Sequence, residues 1–209
     1  KRSYVQREDS KGNVLKKLER VLATLDVNQT RAVLENIDGV QRIRGLAGSG
    51  KTIVLARKIA HIHSQNPHWN IAVTFNSRSL KNQLKRLVEV FYEDSNGEKP
   101  DWEKVNIIHA WGSPSNEGVY YKSCKLHNIA YHDFSRARYL ATNGDDPFQA
   151  VCKDVLSQMS VEKKLYDLIL IDEAQDFKPE FLQLCYSLLD HKKRLIYAYD
   201  ELQNLSEDS

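Results

Sequence analysis

Apolar residues recur at two spacings along this chain, and the two spacings alternate. Helical spacing, with apolar residues three and four positions apart, marks residues 14–25, 28–37, 77–92 and 179–189. Compact apolar runs, which are typical of buried strands, occupy residues 71–75, 105–108, 168–171 and 195–199, with another β-prone run around Val40 and Ile43. Strands that alternate with helices predict an α/β fold with a doubly wound, mostly parallel sheet.

The pattern weakens between residues 113 and 159, where Gly, Ser, Pro, Tyr and charged residues mix. We therefore predict that 113–159 form a small inserted subdomain or lid, and that 1–112 and 160–209 form the sheet domain. A chain of 209 residues with 41% hydrophobic content can bury one sizeable core beside such an insertion. Since there is no initiator Met and the last strand signal lies close to the end, we expect a longer polypeptide.

Composition indicates the cellular compartment of the protein but says little about its function. The net charge of +2 neither demands nor excludes a polyanionic partner. Cys124, Cys152 and Cys185 have no CxxC spacing, which argues against a disulfide framework or a zinc site and fits a cytoplasmic protein. No apolar run has the length of a membrane span. Together these features predict a cytoplasmic globular protein.

Residues 45–52 read Gly-Leu-Ala-Gly-Ser-Gly-Lys-Thr, which is the spacing of a P-loop. Glycines let the backbone turn around an anion with its N–H groups pointing inward, and the helix predicted to begin near Lys51 directs its positive end at the same anion. Lys51 can contact the β- and γ-phosphates, and the Thr52 hydroxyl can bind Mg²⁺. The alternative is a Gly/Ser-rich surface loop. The strand before the loop and the helix after it favour nucleotide binding.

The apolar run 168–171 leads directly into Asp172 and Glu173. Phosphoryl transfer needs a metal that neutralises phosphate charge and a group that orients the attacking water. Asp172 would hold Mg²⁺ together with Thr52, and Glu173 would polarise the water. An acidic helix N-cap is the alternative. The two motifs follow the expected order about 120 residues apart, and the carboxyl ends of parallel strands meet in one crevice.

Asp-Glu-Ala-Gln-Asp at 172–176, together with this P-loop, resembles the superfamily 1 helicases of the UvrD/Rep type. The resemblance implies a RecA-like P-loop NTPase fold, ATP and Mg²⁺ as cofactors, and hydrolysis coupled to translocation on, or unwinding of, single-stranded nucleic acid, DNA rather than RNA. It implies catalytic roles for Lys51 and Glu173. The nucleotide contacts that it implies in the P-loop are Gly45, Ala47, Gly48, Ser49, Gly50, Lys51, Thr52 and Ile53.

Four further segments resemble motifs of the same family in the same order. Residues 25–29 resemble the Q motif, in which Gln29 would donate to N7 of adenine and accept from its N6 amino group. Residues 200–203 resemble motif III, with Gln203 as the catalytic γ-phosphate sensor. Residues 73–76 and 107–111 resemble two segments that contact nucleic acid; the implied contacts are Thr74, Phe75, Asn76, His109 and Trp111.

The chain departs from the family at two positions. Tyr199 stands where the family has Gly before the motif III Asp, and Ile53 stands where it has Arg. The segments of the second RecA-like domain do not follow residue 203, so we expect that domain elsewhere in the same polypeptide and slow hydrolysis by this chain alone. Two rivals remain open: an ATPase switch that gates an attached effector or nuclease, and a nucleotide-binding module without activity.

Each residue predicted to contact nucleic acid has an alternative structural role. Aromatic side chains on loops can stack on bases, but Phe75 and Trp111 can equally be core residues. The basic residues Arg78, Lys81, Lys85 and Arg86 could contact phosphates or form a solvated helix face. Two more clusters, 120–122 and 136–139, also interleave aromatic and basic residues. We expect Trp69 and Trp102 to be packing residues.

Overall fold

A single parallel sheet organises the part of the protein that the computed structural model describes, which comprises residues 27–35, 38–45, 50–77, 80–142, 144–161 and 163–200. Its strands lie in the order β1-β5-β4-β2-β3. All four neighbouring pairs are parallel. The strands are β1 (Val40–Gly45), β2 (Ile71–Phe75), β3 (Val105–His109), β4 (Tyr166–Ile171) and β5 (Leu189–Asp200). The predicted α/β fold with a parallel sheet is confirmed.

Helices follow the strands in alternation. The described residues form α1 (Val27–Leu34), α2 (Lys51–Gln65), α3 (Leu80–Asn96), α4 (Val119–His127), α5 (Phe134–Leu140), α6 (Pro147–Gln158) and α7 (Pro179–Ser187). A one-turn 3-10 helix, Ala174–Asp176, follows β4. The helix predicted over 14–25 lies outside the described residues. No helix in the described part of the chain is long and apolar enough to cross a lipid bilayer.

Two apolar cores lie on opposite faces of the sheet, because successive residues of a strand point to opposite sides. Ile71, Val73 and Phe75 of β2 belong to the core that α1, α2 and α3 cover. Ile169 and Ile171 of β4 belong to the core that α4, α6 and α7 cover. Since helices bury both faces, the central strands β2 and β4 consist almost entirely of apolar residues, and the sheet is doubly wound as predicted.

The segment 113–159 supplies much of the second core. Its helices α4, α5 and α6 contribute buried residues that pack with those of β4 and α7: Val119, Tyr120, Cys124, Ala137, Ala150, Val151, Cys152 and Val155. The weak helical periodicity of this segment reflects short helices with interspersed polar turns. The prediction that 113–159 form a separate subdomain or lid stays a prediction.

Three predicted boundaries were wrong. Helix α3 continues through Asn96, whose side-chain amide donates to the carbonyl of Tyr92 at 2.9 Å, and ends where Gly97 adopts a positive φ of 74°. Strand β5 begins at Leu189 rather than Leu195, and α7 correspondingly ends at Ser187. The first half of β5 is polar, so it carries no strand signal, but Leu189 pairs with Tyr166 of β4.

Candidate active site

The start of helix α2 holds the two P-loop side chains to which the sequence assigned chemistry. Gly45 ends β1, and Gly50, with a positive φ of 81°, immediately precedes α2. The carbonyl of Gly50 accepts hydrogen bonds from the backbone N–H groups of Ile53 and Val54 at 2.9 and 3.0 Å. Lys51 and Thr52 therefore lie in the first helical turn, and Lys51 is only 7% exposed. A helix start of this kind favours a bound anion.

Asp172 comes directly after β4 and meets Thr52. The Thr52 hydroxyl donates a hydrogen bond to Asp172 Oδ2 at 3.1 Å, across 120 residues of sequence. The backbone N–H of Asp172 donates to the carbonyl of Thr74 at 2.9 Å, which fixes the residue at the end of the sheet. The backbone N–H of Glu173 donates to Asp172 Oδ1 at 3.0 Å. The structure thus brings the P-loop and the acidic motif into one site.

Electrostatics at this site follow from burial. Asp172 is fully buried, and burial raises the pKa of its carboxyl to about 6, with the charge of Glu173 adding to the rise. The hydrogen bonds from Thr52 and Glu173 and the charge of Lys51 oppose that rise. A carboxylate and a hydroxyl within hydrogen-bond distance of each other form an oxygen donor set of the kind that Mg²⁺ prefers. The residues present therefore fit a magnesium ion.

Glu173 has an uncommon backbone conformation. Its φ and ψ of 52° and 51° lie in the left-handed region, which non-glycine residues rarely adopt. Its side chain is half-buried and accepts a hydrogen bond from the side-chain amide of Gln175. Strain of this type persists only where the surrounding structure enforces it, and it clusters at functional sites.

Hydrogen bonds connect the ends of β2 and β3. Beside them, burial and the charge of Glu173 raise the pKa of the Asp176 carboxyl, and the neighbouring Asn76 side chain opposes the rise. The carbonyl of Asn76 lies 2.5 Å from His109 Nε2, and His109 Nδ1 accepts from the backbone N–H of Trp111 at 3.1 Å. Because Nδ1 accepts, the proton of a neutral ring is assigned to Nε2, which donates to Asn76.

The segment 74–76 contains two buried residues and one exposed residue. Thr74 and Phe75 are fully buried, and the Phe75 ring lies edge-on to the ring of His109 with 6.2 Å between centroids. Asn76 is exposed, whereas His109 and Trp111 are half-buried. Of the residues assigned to nucleic acid, these three reach the surface at the carboxyl edge of the sheet.

Trp111 belongs to an aromatic cluster built by the segment 113–159. Its ring stacks on Phe148 with 5.0 Å between centroids and lies near Phe134, and its indole N–H donates to the carbonyl of His132 at 3.2 Å. A surface cleft of about 430 Å³ adjoins the cluster. It is lined by His109, Trp111, Gly112, Ser113, Ser115, Asn116, Tyr131 and Phe134. The sequence pattern did not single out Tyr131, Phe134 or Phe148, because they lie where periodicity fails.

Several residues predicted to bind nucleotide or nucleic acid lie outside the described residues or away from the Thr52–Asp172 site. Ala47, Gly48, Ser49 and Gln203 lie outside the described residues, and so does the side chain of Gln29, whose backbone lies in α1. The half-buried Ile53 packs against the first core. Tyr120 is fully buried, whereas Arg136, Arg138 and Tyr139 are exposed.

The two tryptophans and part of the predicted basic helix face lie within the described residues, whereas Arg78 lies outside them. Lys85 lies over the Trp102 ring at 4.8 Å, and Arg194 lies over the Trp69 ring at 4.2 Å. Both tryptophans pack against the first core, as expected for packing residues. Lys81 donates to the side chain of Asn116 at 3.4 Å, at the rim of the cleft.

A parallel α/β sheet whose carboxyl edge joins a P-loop helix to a buried carboxylate defines a P-loop nucleotide-binding domain. Comparison with known proteins identifies its family: residues 29–208 match the family described as an AAA domain, to which this chain belongs. The resemblance to the ATP-binding domain of UvrD/Rep-like superfamily 1 helicases is confirmed.

A curated relative supports this assignment. A "Probable DNA helicase II homolog" of Mycoplasma capricolum subsp. capricolum is 28% identical over 181 residues. The match covers 83% of this chain and 23% of the relative. The chain thus spans less than a quarter of the length of that protein.

Proposed function

We propose that this chain binds ATP with Mg²⁺ as the first motor domain of a polypeptide that hydrolyses ATP to move along or unwind nucleic acid. The hydrogen bond between Thr52 and Asp172 carries the proposal, because it joins the phosphate-binding helix to the acidic motif in one buried site. The family membership of the chain supports the same conclusion.

On this proposal, the first turn of α2 binds the phosphates. Lys51 contacts the β- and γ-phosphates, and backbone N–H groups of the loop surround them, with Ile53 beside the nucleotide; the loop residues are Gly45, Ala47, Gly48, Ser49 and Gly50. Thr52 and Asp172 would hold the magnesium ion. When bound, this ion supplies positive charge that neutralises the phosphate oxygens during transfer.

Glu173 polarises the attacking water and accepts its proton. To reach the water, its carboxylate has to release the side-chain amide of Gln175. Gln203 senses the γ-phosphate, and Gln29 on α1 reads adenine. These two roles rest on the resemblance to the helicase motifs. The second RecA-like domain of the same polypeptide supplies further charge stabilisation.

Single-stranded nucleic acid, DNA rather than RNA, is the proposed partner. Asn76, His109 and Trp111 form the contact surface at the carboxyl edge of the sheet, and the buried Thr74 and Phe75 support it from the core. The cleft beside Trp111 has both aromatic walls and polar side chains, which suits a strand with exposed bases. The name of the Mycoplasma relative favours DNA.

The test is the ATPase rate of the intact polypeptide with and without single-stranded DNA. We expect the DNA to stimulate hydrolysis, and Lys51→Ala to abolish it. Glu173→Gln should bind nucleotide but lower turnover by about 100-fold or more, as loss of a general base does. Arg57→Ala, which removes an exposed cation from the same helix, is the matched control and should behave as the unchanged protein.

Each outcome has a definite meaning. An ATP turnover rate that neither DNA nor RNA changes would contradict the motor function. Stimulation without strand displacement or movement would instead indicate an ATPase switch that gates an attached effector. Undiminished turnover in Glu173→Gln would remove Glu173 from the catalytic role.

A further inference from the structure

Helix α5 is exposed along almost its whole length. Of its seven residues, Phe134–Leu140, only Ala137 is buried. Phe134 is 59% exposed, Tyr139 89% and Leu140 39%, so three large apolar side chains of one short helix face water. Single apolar side chains at a surface are ordinary, but a group of them on one element marks a site of interaction. None of these residues lies in a segment that resembles a helicase motif.

The charges on α5 favour an anionic partner. Arg136 and Arg138 are both exposed, and within the described residues neither guanidinium group forms an ion pair. Asp133, which precedes the helix, caps it by accepting from the backbone N–H of Arg136 at 2.9 Å. Asp145, which follows the helix, pairs with Lys153 at 2.7 Å. The exposed surface of α5 is therefore both aromatic and positively charged.

Helix geometry gives these groups a definite arrangement. Ala137 packs in the second core, which anchors the helix. Tyr139 follows Ala137 by two residues, a rotation of about 200°, so it lies on the face opposite to the core. Arg136 and Arg138 lie on either side of Tyr139 around the helix. The aromatic ring therefore projects from the protein with a cation on each side.

Helix α5 also continues the surface that is proposed to bind nucleic acid. Phe134, the first residue of α5, lines the cleft beside Trp111, and the centroids of the two rings lie 5.9 Å apart. From Phe134 to Tyr139 the helix rises by about 7.5 Å, which is roughly the length of two nucleotides in a stacked strand. A strand that lies in the cleft can therefore continue directly onto α5.

We propose that α5 is an additional binding site for single-stranded nucleic acid, in which Tyr139 stacks on a base and Arg136 and Arg138 contact neighbouring phosphates. Stacking suits every base, since each has an aromatic face, and the cations bind phosphates of any sequence. The inference rests on the proposed function, because the strand reaches α5 from the cleft beside Trp111. It gives the segment 113–159 a role in binding in addition to its contribution to the second core.

The test is the affinity of the intact polypeptide for oligothymidylates of about 4 to 16 nucleotides, the range of site sizes of OB folds that bind single strands. Tyr139→Ala should weaken binding of the longest oligonucleotide by about 5-fold or more, the scale of one stacked base. Binding of the shortest oligonucleotide, which the cleft alone can hold, should not change. Tyr139→Phe keeps the ring and should bind every length as the unchanged protein does. Tyr186→Ala, which removes an exposed tyrosine from α7, is the matched control.

Salt dependence separates the phosphate contacts from the stacking. Each phosphate contact to a single strand contributes about 0.7 to the slope of log affinity against log salt concentration. The double variant Arg136→Gln, Arg138→Gln should therefore reduce the slope for the longest oligonucleotide by about 1.4, whereas Tyr139→Ala should leave the slope unchanged. Thermal unfolding checks that the variants are folded. Their hydrolysis of ATP without DNA should not change, because α5 contains none of the residues assigned to the nucleotide.

The outcomes separate the inference from the proposed function. Unchanged binding of every oligonucleotide by Tyr139→Ala and by the double variant would overturn the inference and leave the motor function intact. An equal loss at every length would also overturn the inference, because α5 would then act on the cleft rather than on a longer strand. Failure of the unchanged protein to bind any of the oligonucleotides would overturn the proposed function, and the inference with it.

Discussion

Asp172 shows at the scale of one residue how function opposes stability. Its carboxyl is fully buried and its pKa is raised to about 6, so the ionised form that a magnesium ion needs is costly in the folded chain. The hydrogen bonds from Thr52 and from the N–H of Glu173 offset only part of this cost. Burial of the Asp172 charge therefore costs stability, and the proposed magnesium ion would relieve that cost.

Asp172→Asn should accordingly stabilise the protein while it abolishes hydrolysis. In a chelator at pH 7.5 we expect a gain of about 1–3 kcal/mol, because a tenfold change in an acid dissociation constant corresponds to about 1.4 kcal/mol. Such a gain raises Tm by roughly 3–8 °C in a domain of this size. Thermal unfolding measures it. Asp172→Ala, which also loses the hydrogen bonds, should gain less; an unchanged or lower Tm in Asp172→Asn would contradict the cost assigned to this charge.

His63 should make stability depend on pH. Burial lowers its pKa, against the charge of Asp101, and its Nε2 accepts a hydrogen bond from the backbone N–H of Asp101 at 3.1 Å. The unfolded chain takes up a proton near pH 6.5, and the folded chain resists it. The contribution of neutral His63 to the free energy of unfolding is therefore fully present above pH 6.5 and is lost as the pH falls below it.

His63→Gln keeps an acceptor for Asp101 and does not titrate, so the fall in Tm between pH 7 and pH 5 should become smaller. Part of the fall will remain, because burial and Lys163 also lower the pKa of His127. His68→Gln, at an exposed position, is the control and should keep the full dependence. The same slope in His63→Gln and in the unchanged protein would exclude His63 as its source.

At the scale of elements, one buried side chain fixes α1 against α2. Lys58 is fully buried, and its ammonium group donates to the carbonyls of Ala32 and Glu35, each at 2.6 Å. These carbonyls lie at the C-terminal end of α1, where helices leave acceptors unpaired and favour a cation. Burial lowers the pKa of Lys58 to about 8.

Lys58→Met should cost about 1–3 kcal/mol, since it leaves two carbonyls without a donor. It should also raise the KM for ATP more than it lowers kcat, because α1 carries Gln29. Urea unfolding and steady-state kinetics measure the two effects. Arg57→Met, at the exposed neighbouring position, should change neither. A stability loss with an unchanged KM would limit Lys58 to a structural role.

The loop after β3 depends on two glycines in direct contact. A Cβ on Gly118 would lie 2.4 Å from the backbone nitrogen of Gly112, and one on Gly112 would lie 2.1 Å from that of Gly118. Gly112 also has a positive φ of 79°. The close approach positions the loop that lines the cleft beside Trp111.

Gly118→Ala should therefore separate the two backbones, lower stability by about 1–3 kcal/mol and weaken binding of single-stranded DNA. Thermal unfolding and DNA titration measure these effects. Gly97→Ala is the control: a Cβ there meets nothing within 4 Å, so only its positive φ of 74° is costly and DNA binding should not change. Normal DNA binding by Gly118→Ala would remove this loop from the contact surface.

At the scale of the whole molecule, parallel strand order explains why separated motifs share one edge. The ends of β1, β2, β3 and β4 deliver Gly45, Asn76, His109 and Asp172 to the same side of the sheet. On the proposed function, the described part of this edge holds one set of groups for phosphates and another for nucleic acid, but a motor needs two domains that close on the nucleotide.

The chain alone should consequently bind ATP and hydrolyse it slowly. We expect turnover at least about 100-fold below that of the intact polypeptide, the scale on which charge stabilisation in trans accelerates phosphoryl transfer. Isothermal titration and a phosphate-release assay measure the two properties. Equal turnover by the chain and the intact polypeptide would show that this domain is catalytically complete.

Sequence alone determined the parts of this protein that depend on short-range pattern. Apolar runs located β2, β3 and β4, since strands buried on both faces have few polar positions. Spacing located the P-loop and the acidic motif, because phosphate binding requires particular residue types in consecutive positions. It missed the polar first half of β5, because residues 190–193 carry no apolar pattern, although Leu189 and Arg194 on either side pair with β4.

Tertiary structure decided what depends on neighbours distant in sequence. It buried Phe75 in the core and left Asn76 exposed, although both adjoin the same strand end. It joined Thr52 to Asp172 through a hydrogen bond, and it set the pKa of Asp172. Residue identity determines which chemistry a side chain can perform. Burial and contact partners arise only when the sheet assembles, and they determine whether the side chain contacts water, an ion or another strand.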